Sequence, residues 1–540
     1  MTILEKPSLS VEALEAFATK LAAILKAGDT LCLEGDLGAG KSTLARALIR
    51  AISQSPELEV PSPTFPLLIP YETNRFPINH CDLYRIGDPS ELEELGLFDE
   101  LATHLTIIEW PNQLAGEGID DYLLIKLEET EDGTARHLTL EGHGRLKNTP
   151  ARLEAIEQFL HAANWQQASW TFLQGDASTR SYIRLHQGKE ARLLMNAPPQ
   201  PDGPPIRDGK PYSQIAHLAE DMTSFIAVSR ALCAAGLKAP QVEQFDIEKG
   251  LLLIGDFGNE QYYDLITSKA ADHKSLYDDA IDVLAHLRQY DPEKLSETQK
   301  PGDPAYSLPP YDETALMIEA DLVIDWHWPH SKGAPISEEQ RAEWHNLWRP
   351  LLGVIKQPRQ NWILRDYHSP NIMRLKGDTP QQRIGIIDFQ DALKGHAAYD
   401  VVSLCQDARL TVPPELEQQL LARYCAHISQ TDETFDEAEF KTAYAILGAQ
   451  RASKLLGIFI RLAVRDGKQH YLAHLPRIWD YLERNLKHPI LSDLAAWYET
   501  NFPRTARQCA KGEDPDAGKE VAGVTNETSA QAQQQERTAN

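Results

Sequence analysis

The run Gly35-Asp36-Leu37-Gly38-Ala39-Gly40-Lys41-Ser42 constrains this chain more than any other stretch. A short apolar run, 31–33, precedes it, and residues 43–51 read as a helix. In that setting the spacing G-x-x-x-x-G-K-S predicts a strand, a glycine loop and a helix in direct succession. Glycine lets consecutive backbone N–H groups curl around an anion, and the helix N-terminus adds its positive end. Lys41 then reaches the outer phosphates of ATP, Ser42 is placed to bind Mg2+, and Gly35, Asp36, Gly38, Ala39, Gly40 and Thr43 complete the cradle.

The segments around this loop alternate in character. Val11, Leu14, Phe17, Leu21 and Ile24 recur at helical spacing, and 105–108 and 122–127 are strand candidates, so the order of elements predicts an open α/β sheet. A phosphate cradle of this kind needs a carboxylate at a neighbouring strand end. Glu109, directly after 105–108, is the first candidate, with a solvated strand end as the plain alternative. Asp82 in His80-Cys81-Asp82-Leu83-Tyr84-Arg85 is the second, in competition with a turn or helix cap. Thr64, in the loop Ser62-Pro63-Thr64-Phe65, carries a hydroxyl that can sense a terminal phosphate. Periodicity is lost over 142–150, which puts a domain boundary near 148.

At 540 residues the chain is too long for one core. Beyond the boundary a helix leads to a strand candidate at 171–173, a glycine turn, and a second strand candidate at 181–185, an arrangement that reads as a hairpin. After about 280 the pattern is mostly helical, so residues 149–507 read as an α+β module with a sheet-bearing lobe ahead of a helical one. Residues 508–540 carry almost no large apolar side chains and are expected to be disordered. With 53 Lys and Arg against 79 Asp and Glu, the net charge of -26 opposes attraction to a nucleic acid backbone. The sequence has no run of about 18 apolar residues and no signal-peptide pattern, and its six cysteines are scattered; a cytoplasmic protein with reduced thiols and no membrane contact is expected.

The second module has its own chemistry. Leu364-Arg365-Asp366-Tyr367-His368-Ser369-Pro370-Asn371 places an Asp and an Asn five positions apart after an apolar run. Phosphoryl transfer to a hydroxyl needs a carboxylate to receive the proton and an amide oxygen on magnesium, and this loop supplies both. Gly385-Ile386-Ile387-Asp388-Phe389 adds a second metal-binding carboxylate, Asp388. The glycine turn Gly175-Asp176-Ala177-Ser178-Thr179-Arg180 is the candidate cover over ATP phosphates, with Gly175, Ser178 and Arg180 as contacts, although a plain hairpin turn has the same letters. Gly255-Asp256-Phe257-Gly258 looks like a kinase D-F-G but precedes the catalytic loop, so it is read as a connector between lobes.

Two resemblances follow from these motifs. GDLGAGKST, SPTF, HCDLYR and IEWP, in that order within about 150 residues, resemble the ATPase subunit of the bacterial tRNA threonylcarbamoyladenosine machinery. That resemblance implies that Lys41 and Ser42 bind nucleotide and magnesium, that Thr64 is a switch, that Asp82 and Glu109 serve the metal and hydrolysis, and that Trp110 matters for activity. It also implies TsaD- and TsaB-like partner subunits that make and transfer the threonylcarbamoyl group, with tRNA met only through them.

The remainder resembles the aminoglycoside phosphotransferase-like kinases over about 165–490. Within them, GDASTRSYIRL, LLMNAPP, LRDYHSPNIM and GIIDFQDA look most like the cell-wall sugar kinases that phosphorylate the anomeric hydroxyl of N-acetylmuramate or N-acetylglucosamine. The resemblance implies Asp366 as the base, Asn371 and Asp388 as magnesium ligands, and Asp391 and Asp400 as loop supports. Two positions depart from the kinase pattern. Leu364 stands where His is usual, and 191–195 lacks the Lys that related kinases pair with ATP phosphates, leaving Arg180 or Arg184 as substitutes. Two other readings stay open for this module: a kinase for another small hydroxyl compound such as an aminoglycoside or choline, or a nucleotide-binding scaffold without turnover. Trp326 and Trp328 suit either a sugar face or helix packing.

Overall fold

The computed structural model describes residues 3–87, 91, 96–114, 118–173, 180–198, 203–355 and 360–507. Gly175 and Ser178 of the glycine turn, and the tail 508–540, lie outside the described residues. The chain divides into two compact units, Met1–Pro199 with Val242–Asp256, and Gln200–Gln241 with Phe257–Asn540. The division at Asp256 falls inside the D-F-G look-alike, at the place read from sequence as a connector.

The first unit holds two sheets. β1 (Ile3–Leu9), α1 (Val11–Ile24), β2 (Thr30–Glu34), α2 (Lys41–Ser53), β3 (Leu68–Tyr71), β4 (Ile78–Asp82), β5 (Leu105–Glu109), β6 (Leu123–Glu129) and β7 (Arg136–Gly142) form the expected α/β layer. The seven strands run in the order β1-β7-β6-β2-β5-β4-β3. β2 is parallel to β5 and β6, and β4 to β5, while β1, β3 and β7 pair antiparallel at the flanks. Every residue of β4 and β5 is buried, the continuous burial that a covered parallel strand requires. Ser10 caps α1 by accepting from the Ala13 N–H at 3.3 Å. α2 starts on Gly40, at φ 105°, a left-handed turn that a side chain adopts only under strain.

α3 (Thr149–Ala162) then leads to an antiparallel sheet of β8 (Ser169–Leu173), β9 (Ser181–Gln187), β10 (Glu190–Asn196), β11 (Val242–Asp246) and β12 (Leu251–Gly255), in the order β11-β12-β10-β9-β8. β8 and β9 pair antiparallel, as the hairpin reading expected. This sheet shares a core with the first layer. Leu14 and Phe17 of α1, Leu48 and Ile52 of α2, Ile156 of α3, and Trp170, Ile183, Leu194 and Leu253 of the second sheet belong to one buried apolar cluster. The change in sequence character near 148 therefore does not coincide with a break in packing; Asn148 only precedes α3.

The second unit is mainly helical. The elements that position chemistry are α4 (Thr223–Ala234), α5 (His273–Leu287), α6 (Glu313–Ala320), α7 (Glu338–Val354), the strands β13 (Asn361–Ile363), β14 (Ile372–Arg374), β15 (Ile384–Ile386) and β16 (Leu393–Gly395), then α8 (Ala398–Cys405), α9 (Pro414–Thr431), α10 (Glu437–Val464), α11 (Leu475–Asn485) and α12 (Ser492–Asn501). Asp436 caps the long α10 by accepting from Ala438 and Glu439 N–H groups. Gly457 of α10 lies against the backbone of Leu322; a Cβ there would come within 2.2 Å of the Leu322 carbonyl. Trp328 is buried against Trp497 and Phe502, so this tryptophan packs helices rather than presenting a face for a sugar. Among the described residues no helix is long and apolar enough to cross a membrane.

Candidate active sites

The first site stands at the carboxyl ends of the parallel strands. Gly35, Gly38 and Gly40 all have positive φ, which turns the loop after β2 into a cradle. A Cβ on Gly35 would meet the Leu127 carbonyl oxygen at 2.4 Å, so the position requires glycine. Lys41 donates to the carbonyls of Gly35 at 2.7 Å and Asp36 at 2.9 Å, and its ammonium stands 3.7 Å from the centre of the Trp110 ring. Burial lowers the Lys41 pKa, and the charges of Glu109, Asp82 and Asp36 oppose that shift.

Around the lysine the structure joins the separate sequence motifs. Ser42 donates its hydroxyl to Glu109 Oε2 at 2.8 Å, and His80 Nε2 meets Glu109 Oε1 at 3.0 Å. In register, Asp82 of β4 is the partner of Glu109 of β5. Thr64 donates to Asp82 Oδ2 at 2.7 Å, and the Tyr84 N–H donates to Asp82 Oδ1 at 3.0 Å. The register of β4 and β5 thus brings the Thr64–Asp82 and Ser42–Glu109 hydrogen bonds side by side, between the SPTF loop and the start of α2. Trp110, at φ 61°, follows Glu109 in a left-handed conformation that a bulky residue rarely adopts.

Two residues here went unassigned in the sequence reading. His80 lies two positions before Asp82, on the same face of β4, and the period of 2 along a strand was the available signal. Arg136 donates from Nε to the Ala39 carbonyl at 3.0 Å and from Nη2 to that of Gly38 at 3.3 Å, bracing the glycine loop from β7. No local spacing announces it, because 97 residues separate Arg136 from Ala39.

The second site is built on the turn after β13. Asp400, on α8, accepts the N–H groups of Leu364 at 2.6 Å and Arg365 at 2.9 Å, and so fixes the loop backbone. Arg365 is held at φ 73°. The Asn371 side-chain amide donates to the Asp366 carbonyl at 3.0 Å and approaches Asp388 Oδ2 at 3.4 Å, which brings the two halves of the motif together. Asp388 is itself left-handed, at φ 57°, and accepts from Gln390 at 2.8 Å. Strained non-glycine backbone at both Arg365 and Asp388 marks a place that packing over-determines. Asp391 accepts the Ala219 N–H at 2.7 Å.

Beneath the loop lies a buried ionic cluster. Arg365 donates to Glu319 of α6, Lys454 of α10 lies 2.8 Å from the same carboxylate, and Tyr311 donates to it as well. Burial would raise the Glu319 pKa, but Arg365 and Lys454 outweigh it and hold the group down at about 2. Burial likewise would raise Asp366; Lys454, His368, Arg365 and Arg451 reverse the sign, so its carboxyl stays below the usual range and is ionised at neutral pH. Asp400 goes the other way, pushed up to about 7 by burial, with the nearby charge of Asp366 adding to the shift against the pull of its two N–H donors. Asp407 accepts the Ser369 N–H at 2.9 Å and lies 4.0 Å from His368. The sequence does not mark Glu319, Lys454, Asp407 or Arg451 as site residues, since Glu319 and Asp407 reach the loop by hydrogen bonds, and Lys454 and Arg451 by charge, from helices or turns dozens of positions away.

Of the candidate lysine substitutes, Arg184 is paired with Asp256 at 2.6 Å within the first unit. Among the described residues no group of three or more His, Cys, Asp and Glu could hold a metal ion alone. Ser42 with an acidic neighbour at one site, and Asn371 with Asp388 at the other, would fit magnesium, which completes its shell from phosphate and water.

Known proteins match both parts of the chain. The family model for the threonylcarbamoyl adenosine biosynthesis protein TsaE matches residues 8–138, and that for the phosphotransferase enzyme family matches residues 169–439. An N-acetylmuramate/N-acetylglucosamine kinase of Caulobacter vibrioides is 34% identical over 366 residues, 66% of this chain and 98% of that protein. One of Pseudomonas aeruginosa is 32% identical over 323 residues, 59% of this chain and 84% of that protein. A tRNA threonylcarbamoyladenosine biosynthesis protein TsaE of Rickettsia bellii is 45% identical over 101 residues, 19% of this chain and 69% of that protein.

Proposed function

Because the chain belongs to the TsaE family through residues 8–138 and to the phosphotransferase enzyme family through residues 169–439, we propose that it is a bifunctional enzyme. Its N-terminal part acts as the ATPase of the tRNA threonylcarbamoyladenosine machinery, and its larger part transfers phosphate from ATP to the anomeric hydroxyl of N-acetylmuramate or N-acetylglucosamine. The observation that carries the second activity is the meeting of Asp366, Asn371 and Asp388 on one pair of loops.

In this reading the sugar hydroxyl donates to the ionised Asp366, which takes the proton as the oxygen attacks phosphorus and ADP leaves. Asn371 and Asp388 hold magnesium, which supplies positive charge to the phosphates. Gly175, Ser178 and Arg180 are the proposed nucleotide contacts of this module. In the first module Gly35, Asp36, Gly38, Ala39, Gly40, Lys41, Ser42 and Thr43 cradle ATP, Ser42 with Asp82 and Glu109 serves magnesium, and Thr64 senses the terminal phosphate through Asp82. The hydrogen bond from Thr64 to Asp82 supports that last role. TsaD- and TsaB-like subunits are the proposed partners, with tRNA reached through them. Leu37 and Phe65, each 84% exposed on loops of this site, support a protein partner there. We place the protein in the cytoplasm and keep 1–148, 149–507 and 508–540 as its sequence modules.

The test is a substrate screen on the full chain, because the second sheet shares a core with the P-loop layer. ADP release and formation of the sugar 1-phosphate are followed with N-acetylmuramate, N-acetylglucosamine, aminoglycosides and choline. Turnover with an amino sugar supports the reading. Preference for an aminoglycoside or choline redirects it, and absence of turnover with every acceptor leaves the scaffold alternative standing.

A further inference from the structure

Among the described residues Arg451 is a buried cation without an ion-pair partner, beside the phosphotransfer loop. It lies on α10 and is 3% exposed. Among the described residues its one hydrogen bond runs from Nη1 to the Gln406 carbonyl at 3.3 Å, and no carboxylate forms an ion pair with it. The other buried cations of the cluster have a counter-ion: Arg365 and Lys454 share Glu319. The acids close by are also engaged elsewhere, Asp400 with Leu364 and Arg365, and Asp407 with Ser369 and Arg409.

Asp366, whose ionisation Arg451 supports, offsets its charge without forming an ion pair, so the guanidinium fork is left open to an anion from outside the chain. The place where that anion would sit is set by the neighbours that feel the charge of Arg451. It helps hold Asp366 down, lowers His368, and opposes the rise of Asp400. Gln406, which anchors it, is adjacent to Asp407, and Asp407 in turn holds Ser369 of the catalytic loop. Arg451 therefore belongs to the acceptor side of the loop, near the carboxylate that receives the hydroxyl proton.

We propose that Arg451 is the carboxylate receptor of the acceptor site, taking the lactyl carboxylate of an acidic amino sugar through the guanidinium fork. This rests on the sugar-kinase reading above and names the chemical class that reading leaves open: the site is built for an anionic acceptor, and a neutral sugar leaves the fork unpaired.

The experiment uses the full chain with three acceptors: N-acetylmuramate, its lactyl carboxamide, and N-acetylglucosamine. In Arg451→Gln the ratio of kcat/KM for N-acetylmuramate over N-acetylglucosamine is expected to fall about 100-fold, mainly through KM, and less in Arg451→Lys, which keeps the charge but not the fork. On the wild-type protein the carboxamide should lose a similar factor against N-acetylmuramate, and the two losses should not add. An equal fall for both natural sugars overturns the proposal, as does a carboxamide that serves as well as the acid. The carboxamide comparison decides the matter without any variant should Arg451→Gln fail to fold. A wild-type protein that phosphorylates neither sugar defeats the sugar-kinase reading itself, which is a separate outcome.

Discussion

Gln54, the left-handed residue that ends the P-loop helix, donates its side-chain amide to the carbonyl of Phe172 at 3.0 Å. Phe172 belongs to β8, the strand that leads toward the glycine turn of the second module. The helix whose first turn carries Lys41 is thus tied at its far end to the kinase sheet, and Trp170 of the same strand is buried in the common core.

Trp170→Ala should therefore cost about 3–5 kcal/mol of stability, the usual range for emptying a buried tryptophan site. Hydrogen exchange is the check. Protection should fall together in the P-loop layer and in β9 and β10; loss confined to the second sheet would show that the shared core does not unfold as a unit.

Lys41→Ala removes the ammonium of the glycine loop and its bonds to Gly35 and Asp36. ATP hydrolysis by the first module should drop by about 100-fold or more, the range seen when a charge-stabilising donor is deleted. Sugar phosphorylation, measured in parallel on the same protein, should persist. Joint loss would mean that the common core carries nucleotide state from one site to the other.

Asp366→Asn keeps the size of the side chain and removes the carboxylate proposed to accept the proton. Phosphorylation of the sugar should fall by about 10²–10⁴-fold in kcat, with little change in the thermal midpoint. Glu319→Gln makes the contrasting case. It withdraws the counter-ion shared by Arg365 and Lys454 and should destabilise the second unit by about 3–5 kcal/mol, read from urea denaturation.

Two buried histidines set an acid limit on stability. Burial pushes His327 down to about 4, with His330 adding to the shift, and His396 down to about 3, with Arg288 adding. Both bind a proton more readily in the unfolded chain, where the ordinary value is about 6.5. Their stabilisation is complete above that value and is lost as pH falls through 6.5 toward 4 and 3. Each histidine should contribute a slope of about 1.4 kcal/mol per pH unit over its window. Denaturation midpoints at pH 7, 6 and 5 test this, and His327→Phe, which suits the surrounding Trp479 and Phe502 rings, should flatten the slope.

Much of the molecule is legible in its sequence. Strand, glycine loop and helix around Lys41 are a local matter, because backbone N–H direction and glycine φ depend on neighbours a few positions away. The same holds for Asp366 and Asn371, which share one turn, and for the antiparallel pairing of β8 and β9, whose ends are close in the chain. Spacing also marked Thr64, Asp82 and Glu109 as candidates, though not that the Thr64–Asp82 and Ser42–Glu109 hydrogen bonds lie side by side; that depended on the register of β4 and β5.

What the chain's letters could not show is everything that depends on distant segments meeting. Arg136 braces Gly38 and Ala39 from a strand 97 residues away, and Lys454 and Glu319 meet across 135 positions to hold Arg365. The merging of the P-loop layer with the second sheet is of the same kind: apolar residues on α1, α2 and β8 announce that they will be buried, but not against what. Burial is non-directional, so sequence periodicity selects which faces leave water, and only the tertiary packing selects their partners. Charge follows that choice. Asp366 is held ionised by Lys454, His368, Arg365 and Arg451, charges that the fold alone brings to the loop.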